Sequence, residues 1–425
     1  MRHNGLGKFA FDSEYVRDLA AYDLYVRAKT LLAASVYTLG KQNRLEAVDL
    51  LEQARVRDPT FLLAYCVLVR VHSELYLLGM DHTPARLEQA ESALQAALRL
   101  RADAGETHLA CAFLLYCRLD YNRAREELLV AQRALPNEPL VFEIAGYIDR
   151  RQGHWDECEH NLSRALELDP RNFYFLQQMA QSYEKQRRFD DMRVIIDRAI
   201  AVVPADPGAR MTRALVDLYA RADTKPLRAT LNAIIGENPK MTEAFAVDLV
   251  NLALWERDFN AAQRAHAAMS RAGGSEEAFI FPRAWYAGLI ARAADDVSGA
   301  RAAFSSAHAE IVRLVEEQSN YAQPISVLGM IDAALGSKDQ AITEGIRATE
   351  LLPVDKDAIN GPLITEHLAI TYAWCGEKDR AIEQLAIVTS IPSDVNYGRL
   401  RLDPYWDSLR GDPRFEKIVR SLAPK

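Results

Sequence analysis

PLVFEIAGYIDRRQGHWDECEHNLSRALELDP, residues 139–170, and FYFLQQMAQSYEKQRRFDDMRVIIDRAIAVVP, residues 173–204, start 34 positions apart and follow one pattern. Each reads as two amphipathic helices joined by a short polar turn and ended by proline. Apolar residues recur every three or four positions, the period of a helix face, and no interpretable segment alternates as a strand would. Outward from here, Ala47, Ala90, Ala124, Cys158, Met192, Leu227, Ala262, Ala300, Ala341 and Ala381 each mark a second helix, at spacings of 43, 34, 34, 34, 35, 35, 38, 41 and 40. Seven residues after most of them comes another small residue: Ala54, Ala97, Ala131, Ala165, Ala199, Ala307 or Ala348. Two helical turns put both on one face, where small side chains let a neighbouring helix come close. Five residues later Pro59, Pro136, Pro170, Pro204, Pro239 or Pro353 stops the helix, since proline cannot continue it and suits the first turn of the next.

Phe142, Ala145, Gly146, Gly153, Trp155, Cys158, Leu162, Ala165 and Pro170 give an order of large, small, aromatic and small residues, repeated by Met179, Ala180, Tyr183, Phe189, Met192, Ile196, Ala199 and Pro204. In this the sequence resembles the tetratricopeptide repeat family. The resemblance implies an all-α, right-handed α-α superhelical solenoid, with about ten helix pairs between residues 28 and 392, no sheet, and Trp155 in the core of the fourth pair. Residues 77–85, LLGMDHTPA, lengthen the loop of the second pair, and Thr224-Lys225-Pro226 interrupts the sixth. The expected organisation is a leader and capping helix over 1–27, an N-terminal lobe over 28–204, a degenerate C-terminal lobe over 205–392, and capping helices over 393–425. Asp403-Pro404 and Asp412-Pro413 read as helix starts, the acid capping and the proline at the first position. AYDLYVRA at 21–28 and RLDPYWDSLRGDPRFEKIVRSL at 401–422 resemble parts of tetratricopeptide regions that follow a kinase, cyclase or DNA-binding domain in bacterial signalling proteins. That resemblance implies a regulatory module.

The 425 residues, 49% hydrophobic and 26% charged, have the composition of a folded chain, and a repeat array escapes the size limit of a single core because it grows lengthwise. A net charge of -8 argues against nucleic acid, whose binding needs clustered Lys and Arg. No apolar run approaches the ~20 residues that span a bilayer, so no membrane insertion is expected. Cys66, Cys111, Cys117, Cys158 and Cys375 lie in apolar helical patterns and read as buried free thiols of a reducing compartment, with the cytoplasm as default.

Catalytic and cofactor patterns fail on context. Gly5 to Ala10 spells G-x-G-x-x-A, but there is no room for the strand that must precede it. Cys158 and His160 diverge on a helix, Cys111 and Cys117 lack a second close pair, and the remaining histidines are scattered, so no metal site is read. The adjacent acids Glu126-Glu127, Asp190-Asp191 and Glu316-Glu317 diverge where acid and base would have to converge. The expectation is a non-catalytic chain without cofactor.

In a stack of helix pairs the first helices line the concave groove. For the third to fifth pairs this face comprises Glu106, Leu109, Phe113, Tyr116, Glu143, Tyr147, Arg150, Tyr174, Gln177, Gln181 and Glu184. Aromatics interleaved with an arginine and amides suit an extended peptide. Two roles stay open for the aromatics, exposed groove contacts or packing between repeats. The leading reading is a scaffold or adaptor for a protein or peptide partner. The alternatives are a homodimerisation module for a missing effector domain, and a small-molecule sensor or enzyme with a pocket between the lobes near residues 205–260.

Overall fold

The computed structural model describes residues 17–33, 36–276 and 278–424. Residues 1–16, with the Gly5 to Ala10 pattern, lie outside it. Among the described residues the helices follow one another as ten pairs, nine of them in direct contact along their lengths. They are α1 (Leu19–Ala33) with α2 (Val36–Arg57), α3 (Leu62–Leu77) with α4 (Pro84–Arg101), α5 (Gly105–Cys117) with α6 (Tyr121–Ala134), α7 (Pro139–Arg151) with α8 (Trp155–Leu168), and α9 (Phe173–Lys185) with α10 (Phe189–Val202). Next come α11 (Pro207–Arg221) with α12 (Lys225–Glu237), then α13 (Met241–Ala244) leading into α14 (Ala246–Trp255) with α15 (Phe259–Ala268). The last three pairs are α16 (Arg283–Ala293) with α17 (Val297–Glu317), α18 (Ala322–Leu335) with α19 (Lys338–Leu351), and α20 (Asn360–Trp374) with α21 (Lys378–Ser390). The architecture is all-α, a solenoid of tetratricopeptide-type pairs.

The small-residue seam holds each pair together. Ala47 and Ala54, Ala90 and Ala97, Ala124 and Ala131, Cys158 and Ala165, and Met192 and Ala199 are all fully buried. The turn between the two helices has its own signature, a residue with left-handed backbone just before the capping residue of the second helix. Leu119, Gly153, Arg187, Arg257, Asp295, Gly336 and Gly376 all take this conformation. The carboxylates of Asp120, Asp258 and Asp296, next in the chain, accept backbone N–H bonds from Arg123, Ala261 and Gly299 and so cap α6, α15 and α17. In the sixth pair Ala222 has the left-handed backbone, and Thr224-Lys225-Pro226 lies in the turn and at the start of α12 and does not break a helix.

The chain divides into two compact units, Met1–Met179 and Ala180–Lys425, while the sequence reading divides it near residue 205. The first unit contains four complete pairs and the first half of α9. Its first pair begins at Leu19, so part of the expected leader belongs to α1. The long loop of the second pair is present between α3 and α4, where His82 stacks on Tyr76 at 3.7 Å between ring centroids. Trp155 opens α8 half-buried, not in the core position expected for it; Cys158, Leu162 and Ala165, one, two and three turns on, are the fully buried residues.

The second unit departs further from the sequence reading. A hairpin of β1 (Gly274–Glu276) and β2 (Phe279–Phe281), paired Gly274 to Phe281 and Glu276 to Phe279, stands between α15 and α16 where no sheet is expected. Three-residue strands are too short to register as alternation. The hairpin forms because Gly273 has positive φ and because Phe279 and Phe281 pack edge-on against His367 at 4.9 and 5.9 Å. The C-terminal segment also does more than cap the last pair. Arg187, in the turn of the fifth pair, donates to the carbonyls of Val388, Ile391 and Val395 and to Ser393 Oγ at 2.7–2.9 Å, satisfying carbonyls at the end of α21. Lys185 binds the Asp394 carboxylate at 2.6 Å, and Ser393 N–H donates to the Lys185 carbonyl. Beyond it α22 (Tyr397–Leu402) packs on α11, a 3-10 helix (Pro404–Leu409) packs on α20, and α23 (Pro413–Ser421) packs on α21. Asp412 caps α23, but Asp403 does not cap the 3-10 helix, because its carboxylate accepts the Trp255 indole N–H at 2.8 Å. The fifth and tenth pairs of this unit are thereby tied together, and α18 and α20 are buried along almost their whole lengths.

The turn position gives opposite effects by residue type. Gly336→Ala and Gly376→Ala, at φ 86 and 80° with nothing near the added Cβ, should each lose about 1–2 kcal/mol in urea unfolding from backbone strain alone. Asp295→Gly, at φ 58° on an exposed residue, should gain up to about 1 kcal/mol. Equal responses of the two types would contradict the shared turn geometry.

Candidate functional site

The inner face of the first unit is built from α3, α5, α7 and the start of α9. In α7, Glu143, Tyr147 and Arg150 lie at helical spacings of four and three and share one face. The Tyr147 hydroxyl donates to Glu143 Oε1 at 2.8 Å, and the Arg150 guanidinium lies 5.1 Å from the Tyr147 ring centroid. Arg150 also donates to the side-chain and main-chain oxygens of Gln178 at 2.8 and 3.2 Å. From α3, Arg70 reaches Glu143 Oε2 at 3.3 Å and Glu74 Oε1 at 2.9 Å, and Arg44 of α2 holds the other Glu74 oxygen at 3.0 Å. Arg70 sits over the Phe113 ring of α5 at 5.3 Å, and Arg151 donates to the Tyr116 hydroxyl at 2.9 Å. Tyr116 and Tyr147 pack with centroids 6.0 Å apart.

Of the two roles left open, this arrangement gives packing to the aromatics Phe113, Tyr116 and Tyr147 and buries Glu143 and Arg150 with them. Glu143 has no exposed surface, and Phe113, Tyr116, Tyr147 and Arg150 are 3–7% exposed, so they form a filled floor. Each aromatic lies against an arginine or another ring of the neighbouring helix, which leaves it no free face. Glu106, Leu109, Tyr174 and Gln177 of the same unit are half-buried, and Tyr174 interacts with Tyr147 of that floor. Gln181 and Glu184, half-buried on the part of α9 that belongs to the second unit, are not members of this cluster. Arg44, Arg70 and Glu74 were missed by the sequence reading, which placed groove residues only on the third to fifth pairs, and Arg151 because it lies one position beyond the Glu143–Tyr147–Arg150 face. The legible signal was an Arg–Glu pair four apart inside the otherwise apolar LLAYCVLVRVHSELYL of α3.

The electrostatics follow from burial. Burial raises the Glu143 carboxyl above its usual range, with Arg70 and the Tyr147 hydroxyl only partly opposing it. Burial also pushes Glu74 up, but the guanidiniums of Arg70 and Arg44 outweigh it and hold that carboxyl below its usual range. Burial, with the Glu143 charge adding to it, raises the Tyr147 phenol well above normal and pushes Tyr174 up to about 12. The phenols are hydrogen-bonding groups here and carry no charge at neutral pH.

Other titratable groups cluster in the second unit. Ser326 Oγ lies 3.0 Å from His367 Nδ1, but both are enclosed, and burial pushes the imidazole down to about 3. A histidine held neutral between packed helices is a core group. Asp332 of α18, Glu344 of α19 and His308 of α17 form a second cluster, with His308 Nε2 3.3 Å from Asp332 Oδ1. Burial, then the neighbouring Asp332 carboxylate, raises Glu344 to about 8. Among the described residues no group of His, Cys, Asp and Glu is arranged to hold a metal ion, and no helix is long and apolar enough to cross a membrane.

No protein-family model matches the chain, and no curated protein matches it. Solved structures do. IFIT1, as a monomeric mutant with Gppp-AAAA, is 15% identical over 78% of this chain and 71% of that one, with a TM-score of 0.47. PilF of Pseudomonas aeruginosa is 16% identical over 48% of this chain and 90% of its own, with a TM-score of 0.35. YrrB, a TPR protein with an unusual peptide-binding site, is 16% identical over 47% and 97%, with a TM-score of 0.30.

Two outcomes test this account. Glu143→Ala should cost about 3–5 kcal/mol, because Arg70 is left partly uncompensated, and Tyr147→Phe about 1–3 kcal/mol from the unmet Glu143 oxygen. Wild-type unfolding midpoints for both would mean that the floor is not a structural network. In the second unit, Glu344 keeps a proton when folded that the unfolded chain releases near its ordinary 4.5. Its contribution is therefore unchanged below pH 4.5 and becomes destabilising as pH rises towards about 8. Glu344→Gln should flatten the fall of melting temperature across that interval, and an unaltered slope would exclude the shared-proton pair.

Proposed function

We propose that the chain is a non-catalytic scaffold that binds a peptide or protein segment along the inner face of its first unit. The observation that carries this reading is the combination of a rigid, self-satisfied floor with a half-exposed border. Tyr174 interacts with Tyr147 of the Arg70–Glu143–Tyr147 network, and Glu106, Leu109 and Gln177 lie half-buried on the helices that carry it or flank it. Preorganised side chains lose little entropy on binding, and this is where recognition gains most. The Gln177 amide both donates and accepts, matching a peptide backbone, while the Tyr174 ring and Leu109 supply apolar area. A net charge of -8 favours such a partner over nucleic acid. A regulatory role in bacterial signalling is supported by the resemblance of segments 21–28 and 401–422.

Selection of a random peptide library on the full chain tests the proposal. Selected peptides should lose at least about tenfold in affinity to Glu106→Ala/Gln177→Ala, close to 1.4 kcal/mol, while the variant melts near the wild type. Peptides that bind the variant equally, or no enrichment at all, overturn the inner-face reading.

A further inference from the structure

The second unit has a cavity of about 580 Å³ where the 3-10 helix meets the edges of the eighth to tenth pairs. Its wall is Trp374, whose indole N–H donates to the Tyr405 carbonyl at 3.0 Å, with the Tyr405 ring 5.8 Å away and Trp285 stacked at 5.9 Å. The indole is therefore fixed in orientation yet half-exposed. Over it lies the guanidinium of Arg292, 4.3 Å from the ring centroid. Burial lowers the Arg292 pKa below the usual arginine value, and the Asp407 charge only partly opposes it.

Arg292 and Arg301, also in the lining, have no ion-pair partner among the described residues. Asp407, the acid facing Arg292, is already taken twice, by Arg257 at 2.8 Å and by Arg410 at 2.8 Å. Those two arginines line a second cavity of about 350 Å³, together with Arg401, which likewise has no ion pair among the described residues. The two cavities thus adjoin across the Arg257–Asp407–Arg410 bridge. Their linings hold five arginines against Asp295, Asp407 and Glu416, on a chain whose net charge is -8. A local cationic excess in an acidic protein is what charge complementarity to an anionic segment requires.

We infer that the paired cavities bind an acidic peptide segment carrying one aromatic or large apolar side chain. That side chain seats against Tyr405 and the edge of Trp374 left beside Arg292 and Trp285, and flanking carboxylates pair with Arg292, Arg301 and Arg401. A guanidinium stacked on an indole keeps its N–H edge free for two parallel bonds to a carboxylate, and such a contact is stronger in a partly desolvated cleft. Two cavities in a row suit an extended ligand better than a compact one. The site is separate from the inner face of the first unit, so either can fail without the other.

The test is fluorescence anisotropy on the full chain, using a short labelled peptide with one Trp flanked by Glu residues. This peptide should bind, weaken with added salt, and lose at least about tenfold in affinity when its Glu residues become Gln or its Trp becomes Gly. Arg292→Glu and Arg301→Glu, both at exposed positions, should each cause a loss of the same order. Lys240→Glu, an exposed charge reversal outside the linings, and Glu106→Ala/Gln177→Ala should bind as wild type. If Arg292→Glu loses its native melting transition, Arg301→Glu decides. Equal binding by the Gln peptide, an equal loss in Lys240→Glu, or no loss in Arg301→Glu overturns the site. Indole-3-acetate binding as tightly as the peptide overturns the peptide assignment in favour of a small organic acid.

Discussion

A chain that reverses between two helices within a few residues must leave the right-handed helical region at one point, and seven of the described pairs share that point. The residue before the cap of the second helix adopts the left-handed conformation, whether it is Gly153, Gly336 and Gly376 or Leu119, Arg187 and Asp295. An L residue there costs about 1–2 kcal/mol, and the packing of the two helices offsets that cost at four such positions. The return comes from the seam of alanines and other small residues, which brings the helix axes close enough for dispersion contacts along their length.

Once pairs are fixed, what differs between them is the face turned towards neighbouring pairs. In the first unit that face buries Arg70, Glu74, Glu143 and Arg150 among tyrosines, an expensive way to fill space unless each charge is matched. The matching is nearly complete: Glu74 is shared by two guanidiniums, and Glu143 by a guanidinium and a phenol. An aliphatic interface would be as stable or more so.

In the second unit the same helix pairs close on themselves. Arg187 accepts the strain of a left-handed backbone and returns it through four hydrogen bonds to the end of the tenth pair. The hairpin and the C-terminal segment then cover α18 and α20, and the clefts beside Trp374 and Trp255 exist because that segment is docked there. Its arginines and aromatics come together from four separate stretches of chain.

The repeat period, the pair count, the all-helical class and the seam were legible in the sequence, because they depend on contacts within about one repeat and recur ten times. So were the capping role of Asp412 and the long loop after α3. The depth of Tyr147 and Arg150 was not legible, because helical spacing assigns a residue to a face but not to a level within it; that level depends on Arg70 and Phe113, two repeats and one repeat away. Nor was the role of Asp403, whose Asp-Pro signature is that of a cap but whose carboxylate goes to Trp255, 148 residues earlier. The local sequence determined each helix and each turn, since their energies are local. Which faces were left open, which charges were paired and where the clefts lie were decided only when residues some 200 positions apart, such as Arg187 and Val388, met in the folded chain.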